Sequence, residues 1–168
     1  GRPPSPPSSG WRSGRPAPLR QLLDRRGDGE LRIARDLTRR PDEALEIATG
    51  ATRRFAHLPR AWLDLAFVRR WREEPEEEIS AADRAFELNP LWNPATLAFA
   101  GALERRGRFD EALAVYVRAL SHSPHDGPVH VSHANLLRRL RRADEAFAAI
   151  QRALRLAPGD DLAWDFFT

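Results

Sequence analysis

Several residue types are absent from this chain of 168 residues, and each absence excludes a class of function. There is no cysteine, which excludes a disulfide framework, a thiolate metal site and a cysteine nucleophile. There is no lysine, and all 27 basic residues are arginine, a bias typical of a GC-rich coding sequence. Methionine is also absent, even at position 1, and we interpret the sequence as a piece of a longer protein.

The high sequence pI, about 10.7, does not indicate a basic surface. With one tyrosine and no lysine or cysteine, few groups titrate between histidine and arginine, so a small positive excess raises the pI strongly. The excess of +3 lies in residues 1–24, whereas residues 25–168 carry 23 arginines and 23 carboxylates. A duplex-binding surface needs a basic stripe on the folded part of the protein. We therefore expect no nucleic-acid partner.

No stretch of the sequence approaches the roughly 18 consecutive apolar residues that a membrane-spanning helix requires. The N-terminal arginines are not followed by the apolar segment of a secretory signal. We expect no membrane span and favour a cytoplasmic location.

Residues 1–18 hold six prolines among serine, glycine and arginine, with Trp11 as the only large apolar side chain. Such a segment cannot bury enough apolar surface to offset the entropy of ordering its backbone. We predict a disordered tail and interpret it as a linker. The alternative is a proline-rich ligand for a peptide-binding domain.

A pattern with a period of 34 residues runs through the rest of the sequence. Prolines recur at this interval, each preceded at a fixed distance by an alanine and by a large apolar residue: Pro90, Pro124 and Pro158; Ala85, Ala119 and Ala153; Phe86, Leu120 and Leu154. A fixed period of this length indicates a stacked repeat architecture. The array of residues 19–168 divides into four units and a partial fifth: 25–58, 59–92, 93–126, 127–160 and 161–168.

The sequence of each unit predicts two helices. In the third unit the first helix ends at Gly107, a favourable helix stop, and the second runs to Pro124. Pro41 and Pro75, also 34 apart, begin the second helices of the first two units, where proline is tolerated. The sequence therefore predicts an all-α fold of antiparallel helix pairs, with turns near residues 40, 57, 73, 91, 107, 125, 141 and 159.

These units resemble the tetratricopeptide repeat, a family with helix–turn–helix units of 34 residues. Counting each unit from 1, the family favours tryptophan at position 4, leucine at 7, small residues at 8, 20 and 27, an aromatic residue at 24 and proline at 32. The second unit matches with Trp62, Leu65, Ala66, Ala85 and Pro90. The resemblance implies an α-solenoid wound as a right-handed superhelix, in which the first helices line a concave groove.

Some packing positions depart from the family pattern. Glu78 stands at position 20 of the second unit, and Thr96 at position 4 of the third. His130 and His133 stand at positions 4 and 7 of the fourth unit. The first unit is the most degenerate, with Arg32 at position 8. We expect a long charged residue at a small position to destabilise the stack through overpacking and a buried charge.

Four histidines, with Asp126 between them, form the most suggestive cluster for metal binding: His122, His125, His130 and His133. Two His-x-x-His pairs are compatible with zinc or nickel. The repeat pattern favours packing and loop roles instead, so we expect no metal and no other cofactor. The run of glutamates around Pro75 is either an acidic docking patch or, as we favour, a solvated helix start stabilised by its dipole.

Catalysis has no sequence support. There is no glycine-rich phosphate loop, no Gly-x-Ser-x-Gly and no His-Glu-x-x-His. We therefore expect a non-catalytic scaffold that binds a peptide or helix of another protein. The alternative is the substrate-recruiting arm of a larger glycosyltransferase or sulfotransferase.

The resemblance places the groove at positions 2, 5, 9, 12 and 13 of each unit, and positions 5, 9, 12 and 13 share one helical face. The candidate residues are an apolar set with an arginine-rich edge: Leu63, Phe67, Arg70, Trp71, Leu97, Arg105, Val131, Asn135, Arg138 and Arg139. Trp71 is a candidate apolar anchor, and the guanidinium groups favour an acidic partner.

The C-terminal residues DLAWDFFT begin a fifth unit that has no second helix. Arrays normally end in a helix with a polar outer face. We therefore expect a truncation at Thr168 and an exposed apolar patch that promotes self-association.

Overall fold

The computed structural model describes residues 40–156, which form seven α-helices and no strand. The helices are α1 (Pro41–Arg54), α2 (Pro59–Trp71), α3 (Pro75–Leu88), α4 (Asn93–Arg105), α5 (Phe109–His122), α6 (Gly127–Arg139) and α7 (Ala143–Leu156). The all-α prediction is confirmed for this range, and the breaks between helices fall where the period placed them. The tail of residues 1–18, the first helix of the first unit, the turn near 159 and the partial unit 161–168 lie outside the described residues.

The starts of the helices follow from local sequence. Pro41, Pro59 and Pro75 occupy first-turn positions, where the missing N–H would have had no intrahelical partner. α6 begins with an N-cap, because Asp126 Oδ1 accepts a hydrogen bond from the Val129 N–H at 3.2 Å. Asp126 therefore caps a helix and does not join the histidines as a metal ligand.

The first helices of three units end in the same left-handed turn. Glu73, Gly107 and Arg141, each at position 15 of its unit, have φ angles of 58°, 73° and 62°. In each turn the next N–H donates to the carbonyl five residues earlier: Glu74 to Arg69, Arg108 to Leu103 and Arg142 to Leu137, all at 3.0 Å. This is the Schellman motif, which satisfies the last carbonyls of a helix.

The helices pack in chain order as hairpins joined by turns of three or four residues. The first helices of successive units, α2, α4 and α6, also contact one another. Because the first helices approach each other on one side, that side is concave. The second helices α3, α5 and α7 lie on the convex side.

Small residues lie where the helices approach most closely. Ala66, Ala100, Ala112, Ala134 and Ala153 are all buried at positions 8, 20 or 27 of their units. Large side chains fill the spaces between helices, and the most deeply buried are Phe86, Leu103, Leu136, Leu137 and Ile150. The interior is thus packed by the pattern that the period predicts.

No helix between residues 41 and 156 has the length and apolarity to cross a membrane.

Candidate protein-binding groove

The structure places the ten candidate residues on the first helices, but at different depths. Leu63 and Val131, both at position 5, are buried in the core and support the groove wall from behind. Phe67, Leu97 and Asn135 are half-buried. The remaining candidates are exposed: Arg70, Trp71, Arg105, Arg138 and Arg139. The surface available to a partner is therefore narrower than the sequence pattern indicated.

Four residues at candidate groove positions of α2 and α4 form an apolar patch. It comprises Phe67 and Trp71, one turn apart on α2, and Leu97 and Gly101, one turn apart on α4. The Trp71 side chain is 55% exposed. Phe67 and Leu97 pack on the main core with one face, so the patch has a rigid base. We call these four residues the groove patch.

The backbone does not require glycine at position 101 of the groove patch. Gly101 lies in the middle of α4 and has no positive φ angle, and a Cβ there would meet only the Arg105 Nη1 atom, at 3.4 Å. Glycine inside a helix costs about 1 kcal/mol relative to alanine. The Arg105 guanidinium lies close to the position that a side chain at residue 101 would take.

Two of the groove arginines are already paired with carboxylates of the chain. Arg105 Nη2 donates to Glu78 Oε1 at 2.5 Å, and the Glu78 side chain is 10% exposed. Glu78 therefore occupies its small-residue position without being an isolated buried charge, because the next unit supplies its counter-ion.

Arg139 is held in a second network across α4 and α6. Its Nη1 donates to Glu104 Oε2 at 2.6 Å, while the Tyr116 hydroxyl donates to Glu104 Oε1 at 2.9 Å. The guanidinium also lies 5.3 Å from the Phe109 ring centroid. Burial first, and then the Glu104 carboxylate, raises the pKa of Tyr116, so the phenol remains a donor.

Arg70 differs from these two arginines. It is exposed beside Trp71 and forms no ion pair with any residue in the range 40–156. Beside the groove patch, Arg70 is the cation best placed to meet a carboxylate of a partner.

The glutamate run around Pro75 is largely neutralised by arginines. Glu74 pairs with Arg69 and, at 2.8 Å, with Arg72. Glu76 lies 3.6 Å from Arg108. These pairs, together with that of Glu78, favour the interpretation as a helix start over an acidic docking patch.

The four histidines are not brought together as ligands. His122 and His125 are exposed, whereas His130 is 3% exposed and its Nε2 lies 2.9 Å from the Pro124 carbonyl oxygen. His133 is half-buried with its ring 6.0 Å from that of Tyr116. Among the residues that the structure describes, no group of three or more histidine, aspartate or glutamate side chains is arranged to hold a metal ion.

Sequence reasoning did not find the pairing of the groove arginines. The signal was present, because arginine stands at position 13 of the third and fourth units and glutamate lies one unit earlier, at position 20 or 12. Which carboxylate reaches which guanidinium depends on side-chain paths across the helix interface, and the period alone does not give these.

The stacked helix pairs define the chain as a helical-repeat protein, and comparison with known proteins identifies the repeat. The tetratricopeptide repeat family model matches residues 103–166. This match lies in the third and fourth units and the residues after them, and it supports the resemblance to tetratricopeptide repeats that the sequence predicted. No curated protein matches the chain in a sequence search.

Solved structures of the same fold support this assignment. The chain is similar to YrrB, described as a TPR protein with an unusual peptide-binding site, with 20% identity over 82% of this chain and 70% of that chain and a TM-score of 0.63. It is similar to MamA, with 14% identity over 83% and 80% of the two chains and a TM-score of 0.64. A thermophilic TPR protein of Thermus thermophilus matches with 22% identity over 87% and 82% and a TM-score of 0.64. At these identities the likeness concerns the fold alone.

Proposed function

We propose that the chain is a non-catalytic scaffold whose concave groove binds a segment of another protein through the groove patch. The observation that carries this proposal is Trp71, a large aromatic side chain at a candidate groove position, which is 55% exposed. Aromatic side chains that become buried on binding contribute disproportionately to protein–protein affinity. The tetratricopeptide family, whose members bind proteins or peptides, supports the same function.

The pairing within the groove refines the chemistry of the partner. Arg105 and Arg139 already bond to Glu78 and Glu104, so a partner carboxylate would have to compete with these contacts. An apolar anchor seated on Trp71 and Phe67, with one acidic residue near Arg70, fits the groove better than a uniformly acidic peptide.

A peptide selection tests this proposal. Random peptides selected for binding to the chain would be measured for affinity to the wild type, Trp71→Ala and Gly101→Leu. We expect each substitution to weaken binding at least about tenfold, because Trp71→Ala removes the anchor surface and Gly101→Leu adds bulk in the groove patch. Loss in neither variant would contradict the groove as the binding site.

Matched control variants separate a local effect from a general one. Phe147→Ala removes another exposed aromatic side chain, on the convex helix α7. Gly50→Leu adds the same side chain as Gly101→Leu, at an exposed mid-helix glycine of α1 with no atom within 4 Å of its Cβ position. We expect both controls to bind as the wild type does.

A salt titration tests the acidic component. If a partner carboxylate meets Arg70, added salt should weaken binding, and Arg70→Ala should reduce that salt dependence. If neither added salt nor Arg70→Ala changes the affinity, the apolar anchor is the sole determinant of binding. No observation in the described residues favours the alternative of an arm of a larger enzyme.

A further inference from the structure

Charge is divided unevenly along the second helices of the four units, α1, α3, α5 and α7. Their first halves hold ten carboxylates and no arginine, whereas their second halves hold six arginines and two carboxylates. The first halves are residues 41–47, 75–81, 109–115 and 143–149. The zero net charge of residues 25–168 therefore does not mean that the charges are evenly spread.

The two halves also differ in how far their charges are paired. Six of the ten carboxylates form ion pairs with arginines that flank the second helices: Asp42, Glu43, Glu76, Glu78, Glu111 and Glu145. Of the six arginines, only Arg118 forms an ion pair within the described part of the chain, with Glu87 at 2.7 Å. The basic half is thus the one with charge left over for a partner.

Most of these arginines lie on one outward face. Positions 22, 26 and 29 are exposed in all four second helices, and residues at i, i+4 and i+7 share a helical face. Five arginines occupy position 26 or 29, and we call them the basic stripe: Arg53, Arg84, Arg118, Arg152 and Arg155.

The ion pair of Arg118 shows which positions meet across the junction of two units. Arg118 Nη1, at position 26 of the third unit, donates to Glu87 Oε1, at position 29 of the second. At the preceding junction the same two positions hold Arg84 and Arg53. Two cations repel each other where the next junction has an ion pair, and a carboxylate placed between them would remove this repulsion.

The fourth unit supplies a second pair of arginines. Arg152 and Arg155 are one turn apart on α7, and both are exposed. The residue that faces Arg152 from the third unit, at position 29, is Ser121, which has no charge. The basic stripe therefore has an available arginine pair at each end and the occupied Arg118 between them.

The width of the basic stripe favours a single extended chain as its partner. A helix of 14 residues is about 21 Å long, so its basic half is about 10 Å wide and borders the carboxylate half. A nucleic-acid duplex or a membrane surface is wider than this and would also meet the carboxylates. Single-stranded nucleic acid binds through aromatic side chains that stack on its bases, and positions 22, 26 and 29 of the described helices hold none.

We propose that the basic stripe is a second binding surface, separate from the groove patch, which takes an acidic, extended segment of a partner polypeptide. One carboxylate lies between Arg53 and Arg84, and another meets Arg152 and Arg155, because guanidinium groups bind carboxylates through paired hydrogen bonds. Packed helices are about 10 Å apart, and an extended chain rises about 3.3 Å per residue. Carboxylates at every third residue therefore match successive second helices.

A pair of capped peptides tests this proposal. A dye-labelled peptide with four Glu-Gly-Ser repeats would be titrated with the chain at about 0.1 M salt, where the screening length is about 10 Å, and binding followed by fluorescence anisotropy. We expect binding, and an affinity at least about tenfold lower for the matched peptide with Gln-Gly-Ser repeats. Equal affinity of the two peptides would overturn the proposal.

Two charge reversals locate the binding. Arg53→Glu gives the first junction the charge pair of the second, so we expect it to keep the melting temperature and to weaken binding of the glutamate peptide at least about fivefold. Glu87→Arg makes the opposite change at the second junction and should tighten binding. Arg53→Gln, a milder variant, should weaken binding less than Arg53→Glu does.

Arg141→Glu is the matched control, because it makes the same change in charge at an exposed residue in the turn before α7, where Glu73 shows that glutamate is accommodated in the equivalent turn. We expect it to bind the glutamate peptide as the wild type does. An equal loss in Arg141→Glu and Arg53→Glu would show an effect of net charge alone and refute the site. Unchanged affinity in both Arg53→Glu and Glu87→Arg would also refute it.

An oligonucleotide distinguishes the two kinds of anionic chain. Single-stranded oligothymidylate with four phosphates carries the same charge as the glutamate peptide, and we expect it to bind more weakly. If it binds more tightly than the peptide and loses this affinity in Arg53→Glu, the assignment of the basic stripe to a polypeptide is wrong.

Discussion

At the scale of single residues, Glu78 shows how the fold accommodates a charge at a small-residue position. The sequence pattern predicts a cost for this residue, and the structure supplies a counter-ion, Arg105, from the following unit. Replacing a buried ion pair by apolar residues is often neutral or stabilising, whereas removing one partner leaves an uncompensated charge. Removing the arginine alone should therefore destabilise the fold more than removing the glutamate alone.

We predict that Arg105→Ala lowers the free energy of unfolding by about 1 kcal/mol, a value reduced by the partial exposure of the guanidinium. Glu78→Ala should change it little, because alanine restores a small residue at position 20. The double variant should recover most of the loss caused by Arg105→Ala. Urea denaturation of the four proteins measures this cycle, and additive effects of the two substitutions would contradict the pairing.

His133 is the residue most sensitive to pH in the fourth unit. Burial first, and then the neighbours His130 and Arg142, lower the pKa of His133, while Glu145 opposes this shift and Arg152 adds to it. The unfolded chain takes up a proton near pH 6.5, where the folded chain still holds the ring neutral. The stability that His133 contributes is therefore complete above about pH 6.5 and is lost as the pH falls toward its lower folded value.

We predict that the free energy of unfolding falls between about pH 6.5 and pH 5, and that His133→Leu makes this fall shallower. The slope due to His133 should be well below the roughly 1.4 kcal/mol per pH unit of a fully shifted group, because solvent screens a half-buried ring. Thermal or urea unfolding across this range measures it. An identical pH profile in the two proteins would show that His133 does not titrate differently on folding.

At the scale of the elements, the turn at position 15 sets the angle between the two helices of each unit. Glycine adopts its left-handed conformation without strain at Gly107, whereas Glu73 and Arg141 adopt it with a Cβ. The three turns have the same Schellman hydrogen bonds, so their backbone geometry is the same. They differ only in the backbone strain of the left-handed residue.

We predict that Arg141→Gly raises the free energy of unfolding by about 0.5–1 kcal/mol, because it relieves the left-handed strain at a C′ position. The reverse substitution, Gly107→Ala, should lower it by about 1 kcal/mol. Both values come from urea denaturation. Destabilisation by Arg141→Gly would mean that contacts of the arginine side chain outweigh the backbone strain.

At the scale of the whole molecule, arginine–carboxylate pairs connect consecutive units. Arg72 bonds to Asp42 at 2.6 Å, Arg118 to Glu87 at 2.7 Å, and Arg139 to Glu104 at 2.6 Å. In a repeat protein each unit contacts mainly its neighbours. Such a pair therefore acts at each of the three interfaces between units that residues 40–156 contain.

The helical stack was predictable from the sequence because small residues and prolines recur at fixed positions, and Ala100, Ala134 and Pro75 occupy the places that the period assigned. The sequence also predicts that Phe67 and Trp71 share a helical face, because they lie four residues apart, and their role in binding stays a prediction. Which charges remain available to a partner was not predictable from the sequence. The pairing of Arg105 and Arg139 depends on which carboxylates lie across the helix interface, and a pattern of residue types does not express this.

Binding of a partner on the concave side, through the groove patch, is tested most directly by NMR chemical-shift mapping. The chain would be titrated with a peptide obtained by the selection described above. We predict that the largest shifts occur at the Trp71 indole, Phe67, Leu97 and the Gly101 amide, with small shifts on α3, α5 and α7. Shifts concentrated on those convex helices, with the Trp71 indole unchanged, would contradict binding in the groove.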